Sequence, residues 1–310
     1  MRDAVIRTMD GYARRGMAWY SEEMDRRERV RGQLARLIGA QAPHLALVPN
    51  TSAGVMTVAL CLPWQHGEKI VLFNGEFPTN VTPWQQAARR HGLEIVWMEA
   101  EAFRHDRASA LEQLEDQLRA GVRLVAVSAV QFTTGQRMPL AEIGAMCRHH
   151  GSELFVDAIQ AAGVVPLDVQ SMCIDYLTAG SHKWLMAPEG LAGFYAAPQA
   201  AERLQPNVAA WLSHEEPFAF LTDGPGQLRY DRPILLSARM ADPGGRSGIL
   251  SVRPADPHTT SAWAGELAEL GISCGTPDGW LRLSPHWPNA LSEAEALFKA
   301  FDRGAPALGV

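Results

Sequence analysis

The chain has 310 residues, of which 47% are hydrophobic and 20% are charged, as in ordinary globular proteins. This length predicts one large domain with a smaller companion. The formal net charge of −6 gives no electrostatic reason to bind nucleic acid or an anionic membrane. No apolar run approaches membrane-spanning length, the first residues lack the apolar core of a signal peptide, and the four cysteines have no metal-ligand spacing. We therefore predict a cytoplasmic protein that holds no metal and binds neither membrane nor nucleic acid.

The N-terminal segment is charged, and its apolar residues recur at helical intervals over about residues 3–37. It predicts a helix, assigned to residues 1–36, that packs on the main domain or on a partner subunit.

Strands alternate with helices in the next region, residues 37–210. Apolar runs such as KIVLFN and LEIVWME are separated by helical segments such as ALEQLEDQLRAG. This alternation predicts a mostly parallel sheet with helices on both faces. Because ligands bind outside the carboxyl ends of the strands in such sheets, we expect the functional residues there.

Two predicted strands end in side chains that can carry chemistry. The run Leu154 to Val156 ends on Asp157, and a second run leads into Gly180 and then Lys183. A carboxylate can keep the nitrogen of a pyridine ring protonated, so that the ring withdraws electrons. A lysine amine can condense with an aldehyde on that ring to form a Schiff base. A heteroaromatic cofactor that carries an aldehyde can therefore use this pair.

The segments VDAIQ and SHKW, in this order and at this separation, resemble the class V aminotransferase superfamily of pyridoxal-phosphate enzymes. The resemblance implies a fold-type I α/β protein with a mostly parallel central sheet, a large cofactor domain over residues 37–210 and a smaller C-terminal α/β domain within residues 211–310. It also implies pyridoxal 5'-phosphate as cofactor and a homodimer, since relatives build the site at the subunit boundary.

The resemblance assigns roles around the ring. Asp157 pairs with the pyridine N–H, Gln160 donates to the phenolic oxygen, and Lys183 forms the Schiff base and then acts as the base for the α-proton. His182 contacts the phosphate or stacks nearby. Relatives often have a phosphate-binding serine three residues before the lysine, where this chain has a glycine, and either Ser181 or a backbone amide is expected to substitute for it.

The phosphate is assigned to the run Asn50-Thr51-Ser52-Ala53-Gly54. Small hydroxyl residues at a helix start leave backbone N–H groups unpaired, and such a helix end binds phosphate. Taken alone, such a run is more often an ordinary helix N-cap. Its place upstream of the Asp and Lys segments resembles the family's phosphate turn, which implies that Thr51, Ser52 and the backbone of Ala53 hold the phosphate.

Two further residues are assigned by resemblance. In the pattern E-F-P-x-N-x-x-P-W, Phe77 falls where the family presents a ring to the cofactor face; desulfurases usually have a histidine there, whereas Phe77 can only stack. Gln131 takes the place of a polar residue near the cofactor hydroxyl or the substrate. The alternatives are a core aromatic residue and a buried glutamine satisfied by the backbone.

The C-terminal region contains LRLSPHWPN, which resembles the family's R-x-S-P-H-x-Y-N signature with Pro288 in place of the tyrosine. Arg282 is the expected clamp for the α-carboxylate of an amino acid substrate. Between Pro233 and Ile234 the resemblance breaks where relatives carry a loop and a long interdomain helix. Either a deletion has removed that helix or residues are missing there, and we expect missing residues. Before Met1, either the protein is compact at this end or residues are missing.

The family implies an enzyme that acts on an α-amino acid with an aminotransferase-like or epimerase-like outcome. A cysteine desulfurase or C–S lyase is the first alternative, with Cys274 as the candidate nucleophile. A noncatalytic binding protein with the same fold is the second.

Overall fold

The computed structural model describes residues 1–209, 250–252, 260–269, 274 and 281–283. The chain divides into two compact units. One contains residues 27–214 and 230–237, and the other contains residues 1–26, 215–229 and 238–310. The predicted domain boundaries after residues 36 and 210 stay a prediction.

The described helices and strands alternate over most of the chain. The helices are α1 (Arg2–Arg15), α2 (Tyr20–Leu37), α3 (Thr51–Cys61), α4 (Thr82–His91), α5 (Ala102–His105), α6 (Arg107–Arg119), α7 (Leu140–His150), α8 (Pro198–Arg203) and α9 (Thr260–Glu269). The strands are β1 (Leu45–Val48), β2 (Lys69–Asn74), β3 (Glu94–Glu99), β4 (Leu124–Ser128), β5 (Glu153–Asp157), β6 (Tyr176–Gly180), β7 (Ala192–Ala196), β8 (Leu250–Val252) and β9 (Leu281–Leu283).

Seven strands form one sheet in the order β1-β7-β6-β5-β4-β2-β3. The pairs β2–β3, β2–β4, β4–β5 and β5–β6 are parallel, and β7 is antiparallel to both of its neighbours, β6 and β1. Six strands therefore run in one direction, and their carboxyl ends lie along one edge. The predicted mostly parallel α/β sheet is confirmed.

The two faces of this sheet bury separate clusters of apolar side chains. Along β2, Val71 and Phe73 belong to one cluster, while Ile70 and Leu72 belong to the other. Successive side chains of a strand point to opposite faces, so a continuous apolar run is required where both faces are covered. The run KIVLFN meets this requirement.

Helix α3 packs closely on β6 because it carries a glycine at the contact. A Cβ atom on Gly54 would lie 2.3 Å from Oγ1 of Thr178. The missing side chain lets the start of α3 approach the carboxyl end of β6. This approach positions the helix N-terminus beside the strand that leads to Lys183.

Ionic contacts anchor the amino end of β5, opposite the edge just described. Glu153, which is buried, accepts hydrogen bonds from Tyr176 and Arg203 and forms an ion pair with Arg123. A buried carboxylate needs such partners to offset its desolvation.

The N-terminal segment consists of two helices instead of the single predicted helix. A 3₁₀ turn over Gly16–Trp19 separates α1 from α2, and Gly16 has a φ of 52°. The ring of Trp19 lies against Gly11, where a Cβ atom would be 2.3 Å from the indole. Trp19 therefore folds back onto α1, which breaks the helical periodicity.

The compact unit that contains residues 1–26 and 238–310 also includes α9 and an antiparallel pair of strands, β8 with β9. Arg282 in β9 is the register partner of Ser251 in β8. Pro233 and Ile234 lie outside the described residues. Among the helices in the described ranges, none combines the length and the hydropathy needed to cross a membrane.

Candidate active site

The loops after β1, β2, β4, β5 and β6 meet at the carboxyl edge of the sheet. Asp157 ends β5 and is the register partner of Ser128, which ends β4, and of Thr178 in β6. Gly180 ends β6, and its N–H donates to Oγ1 of Thr51 at the start of α3, 3.0 Å away. Side chains from five loops are thus brought to one place.

Asp157 is the buried acid of this site, with 2% of its surface exposed. Its Oδ1 accepts a hydrogen bond of 3.0 Å from the N–H of Ile159. Burial raises the pKa of Asp157 to about 7; the Ile159 N–H opposes the shift, the charge of Glu76 adds to it, and the charge of Lys183 opposes it. A buried carboxyl group with a raised pKa favours a partner that carries a positive charge or an N–H.

Lys183 lies in a tight loop after β6. The N–H of Met186 donates to the carbonyl of Lys183 over 2.9 Å, and the N–H of Ala187 donates to the carbonyl of Ser181 over 3.0 Å. Met186 has a φ of 53°, a left-handed conformation that closes the turn. The backbone around the lysine is therefore held by local hydrogen bonds.

An aromatic side chain faces the lysine amine. The Nζ atom of Lys183 is 5.9 Å from the ring centroid of Phe77, and 46% of the Phe77 surface is exposed. The ring of Phe77 contacts Phe132 edge-to-face, with centroids 5.3 Å apart. Phe77 is thus an exposed ring beside the amine, not a core residue.

The start of α3 presents hydroxyl and N–H groups at the same edge. Oδ1 of Asn50 accepts from the N–H of Ala53 over 2.9 Å, and the hydroxyl of Ser52 lies 2.9 Å from that of Thr79. Because Asn50 caps Ala53, the uncapped amides of the first turn are those of Thr51 and Ser52. The predicted part of the Ala53 backbone in phosphate binding therefore competes with the cap.

The hydroxyl of Ser181 forms a hydrogen bond within the protein. It donates to the carbonyl of Pro188 over 3.1 Å, and the side chain is buried. This bond competes with the predicted contact between Ser181 and the phosphate. His182 is exposed.

Gly180 has little room for the serine that relatives often carry. A Cβ atom there would lie 3.0 Å from Oγ1 of Thr51 and 3.1 Å from Cδ1 of Ile159. Thr51 already fills the space, and its hydroxyl keeps a proton to donate because Oγ1 accepts from Gly180.

Glu76 is a buried residue that sequence reasoning does not single out, although it belongs to the pattern that places Phe77. It is 8% exposed, and its Oε1 accepts from the N–H of Ser128 over 2.7 Å and from Nε2 of Gln131 over 2.9 Å. The hydroxyl of Ser128 donates to Oε2. An acidic residue two positions after a buried strand is the signal that could have drawn attention to it.

Three predicted residues are less closely tied to this site. Gln160 is half-buried in the turn after Asp157. Arg282 lies in β9, in the other compact unit, so its part in substrate binding stays a prediction. Burial raises the pKa of the Cys274 thiol, whereas a nucleophilic cysteine needs a lowered pKa.

The residues present fit a phosphorylated pyridine aldehyde. Asp157 is a buried acid with one oxygen bonded to Ile159, Lys183 is an amine beside an exposed ring, and the N-terminus of α3 suits an anion. Oε1 of Gln131 is buried without a hydrogen-bond partner among the described residues, as expected for an atom that a ligand completes.

Comparison with known families decides the family. The family model for class V aminotransferases matches residues 4–210. The chain belongs to the class V aminotransferase family. This class V chain is 30% identical to the uncharacterized aminotransferase YcbU of Bacillus subtilis, in a match that covers 92% of the chain and 85% of the relative. It is 34% identical to the isopenicillin N epimerase of Streptomyces clavuligerus, over 61% of the chain and 47% of the epimerase.

Solved structures of similar fold agree with the predicted fold class. A complex of the cystine C–S lyase C-DES with cysteine persulfide has a TM-score of 0.67 at 21% identity, and the match covers 98% of this chain and 94% of that one. The cysteine desulfurase CsdA of Escherichia coli has a TM-score of 0.63 at 21% identity over 97% and 91% of the two chains. Identity at this level shows the fold alone. The predicted family and fold class are confirmed.

Proposed function

We propose that this class V aminotransferase family member binds pyridoxal phosphate and removes the α-proton of an amino acid. The observation that carries the proposal is the placement of Asp157 and Lys183 at and after the carboxyl ends of the neighbouring parallel strands β5 and β6. The acid is buried and its pKa is raised to about 7, and the charge of Lys183 acts on it from the next loop along the sheet edge. A buried acid near an amine, beside an exposed ring, suits a cationic aromatic ligand.

When bound, pyridoxal phosphate supplies an aldehyde that condenses with an amine and a ring that withdraws electrons. Asp157 holds the N–H of the pyridine, Phe77 stacks on the ring, and Gln160 donates to the phenolic oxygen. The N–H groups of Thr51 and Ser52 bind the phosphate.

The remaining assignments follow the resemblance. Lys183 would hold the cofactor, and its Nζ would act as the base that takes the proton from the α-carbon of the substrate. Arg282 binds the α-carboxylate, and His182 lies beside the phosphate. Ala53 and Ser181 contribute less, because Asn50 and Pro188 already engage them. We also propose that the protein is a homodimer located in the cytoplasm and that its substrate is a small amino acid.

An exchange experiment in D₂O tests this role. Cofactor-loaded protein is mixed with each amino acid, and loss of the α-proton signal is followed by NMR. The wild type should exchange at least one amino acid, and Lys183→Ala should lower the rate by about 10²-fold or more, the usual contribution of a general base. Lys69→Ala is the matched control, since Lys69 begins β2 at the opposite edge of the sheet. Equal rates in Lys183→Ala and wild type would rule out the proposed base.

The products separate the possible reactions. Inverted stereochemistry indicates epimerisation, and a 2-oxo acid indicates transamination. Sulfide released from cysteine, and lost in Cys274→Ala, would favour the desulfurase alternative. The raised pKa of Cys274 argues against that outcome. A folded protein that binds the cofactor but exchanges no amino acid would favour the noncatalytic alternative.

A further inference from the structure

Glu76 joins two loops that are far apart in sequence. It follows β2, and its carboxylate accepts three hydrogen bonds from residues that follow or end β4: two from Ser128 and one from Gln131. Phe77, the residue next to Glu76, is the ring beside Lys183. One carboxylate therefore couples the loop that carries the stacking ring to the loop that carries Gln131.

The hydrogen bond to Glu76 fixes the direction of the Gln131 amide. A carboxylate oxygen accepts and does not donate, so the NH₂ group of Gln131 must face it. The amide oxygen, Oε1, then faces away from Glu76. This oxygen is buried in a side chain that is 3% exposed, and it has no hydrogen-bond partner among the described residues. A buried acceptor left unpaired is costly, which points to a missing donor.

The charge of Glu76 also acts on Asp157. Burial is the largest cause of the raised pKa of Asp157, and the negative charge of Glu76 raises it further. The other groups that act on this acid are the Ile159 N–H and the Lys183 ammonium. A second carboxylate at this place favours a ligand that brings positive charge or hydrogen-bond donors.

We propose that Glu76 is a positioning residue, which holds Gln131 so that its amide oxygen accepts a hydrogen bond from an N–H or O–H group of the bound ligand. The inference rests on the proposed function, because the donor is either the hydroxyl of pyridoxal phosphate or the amine of the amino acid. In both cases a hydrogen-bond donor of the ligand meets the amide oxygen of Gln131, whose direction Glu76 fixes.

Glu76→Gln tests this role while keeping the side-chain length. In the variant one oxygen can still accept from the N–H of Ser128 and from the Gln131 amide, but these bonds lose the negative charge of the acceptor. The NH₂ group replaces the oxygen that accepts from the Ser128 hydroxyl, so the hold on Gln131 is weakened. We expect about a tenfold loss of binding, the usual effect of one buried hydrogen bond. A weaker dissociation constant for pyridoxal phosphate, titrated by absorbance, identifies the cofactor hydroxyl as donor. A raised KM for the exchanged amino acid with little change in kcat identifies the amine.

A double-mutant cycle separates positioning from a structural effect. Because Glu76 acts through Gln131, the double variant Glu76→Gln with Gln131→Leu should bind no more weakly than Gln131→Leu alone. Losses that simply add would overturn the inference. Glu99→Gln is the matched control, since it removes a carboxylate that accepts from the Asn74 amide over 2.6 Å on the exposed edge strand, and it should bind like the wild type.

Circular dichroism and thermal unfolding check that each variant folds. If Glu76→Gln does not fold, Glu76→Asp replaces it, because aspartate keeps the charge but is too short to reach both Ser128 and Gln131. Failure of both variants to fold would show a purely structural role and overturn the inference. A wild type that binds no pyridoxal phosphate would contradict the proposed function, whereas a binding wild type with an unchanged Glu76→Gln variant would contradict only the role of Glu76.

Discussion

Asp157 is the residue in which the chemistry of the site is most directly measurable. The cofactor-free protein must bury this acid without the cation that it is proposed to meet, and its pKa is raised from 3.8 to about 7. In the unfolded chain the acid titrates near its ordinary value. Below about pH 4 both states hold the proton, and between about pH 4 and 7 the native state holds more protons than the unfolded state. Stability of the cofactor-free protein therefore falls as the pH rises through this window.

Asp157→Asn should remove that penalty. We expect the variant to be more stable than the cofactor-free wild type at pH 8 by on the order of 1–3 kcal/mol, with a smaller difference at pH 5. Thermal unfolding at both pH values measures the difference. Asp168→Asn serves as the control, because this carboxylate is exposed and the N–H of Ser171 lowers its pKa. A difference for Asp157→Asn that does not grow with pH would contradict the assignment of a buried acid.

At the scale of single residues, the sequence predicts the reactive groups but not the hydrogen bonds that they form within the protein. Asp157 and Lys183 could be found because each follows an apolar run at a strand end. The hydroxyl of Ser181 and the N–H of Ala53 are engaged by Pro188 and Asn50, and short motifs do not reveal such bonds. The three hydrogen bonds of Glu76 reach residues 52 and 55 positions away, beyond any local pattern.

At the scale of elements, the site depends on how closely α3 approaches β6. Gly54 makes that approach possible, because a Cβ atom there would lie 2.3 Å from Oγ1 of Thr178 and 2.7 Å from its Cβ. The apolar runs of the sequence predict both elements. They do not predict the spacing of the two elements, since a glycine inside a helix is read only as a weak helix former. The break between α1 and α2 is not predicted either. It depends on the packing of Trp19 on Gly11, another glycine inside a helix.

Gly54→Ala should therefore destabilise the protein, against the helix propensity of alanine. We expect a loss of about 1–3 kcal/mol from overpacking, together with weaker cofactor binding as α3 shifts. Gly265→Ala in α9 is the matched control, because no described heavy atom lies within 4 Å of the position of its Cβ, and it should be neutral or stabilise by up to about 1 kcal/mol. Chemical denaturation measures both. A stabilised Gly54→Ala variant would show that the contact with Thr178 is not tight.

At the scale of the whole molecule, the alternation of strands and helices was sufficient to predict the sheet, because the inner strands are covered on both faces and are largely apolar. The order of the strands, in which β7 returns antiparallel between β1 and β6, is not encoded in that alternation. The family match ends at residue 210, and Arg282 and Cys274 lie beyond it. Contacts in the structure therefore support the proposed cofactor residues, whereas the resemblance alone supports the proposed substrate residue Arg282.

The central claim is a covalent one, that the amine of Lys183 carries the cofactor. The chain contains three lysines, Lys69, Lys183 and Lys299, which makes the test sharp. The protein is incubated with pyridoxal phosphate, reduced with borohydride and digested, and the modified peptide is identified by mass spectrometry. The account predicts a phosphopyridoxyl group on Lys183 and its loss in Lys183→Ala. A label on Lys69 or Lys299 alone, or no label at all, would contradict it.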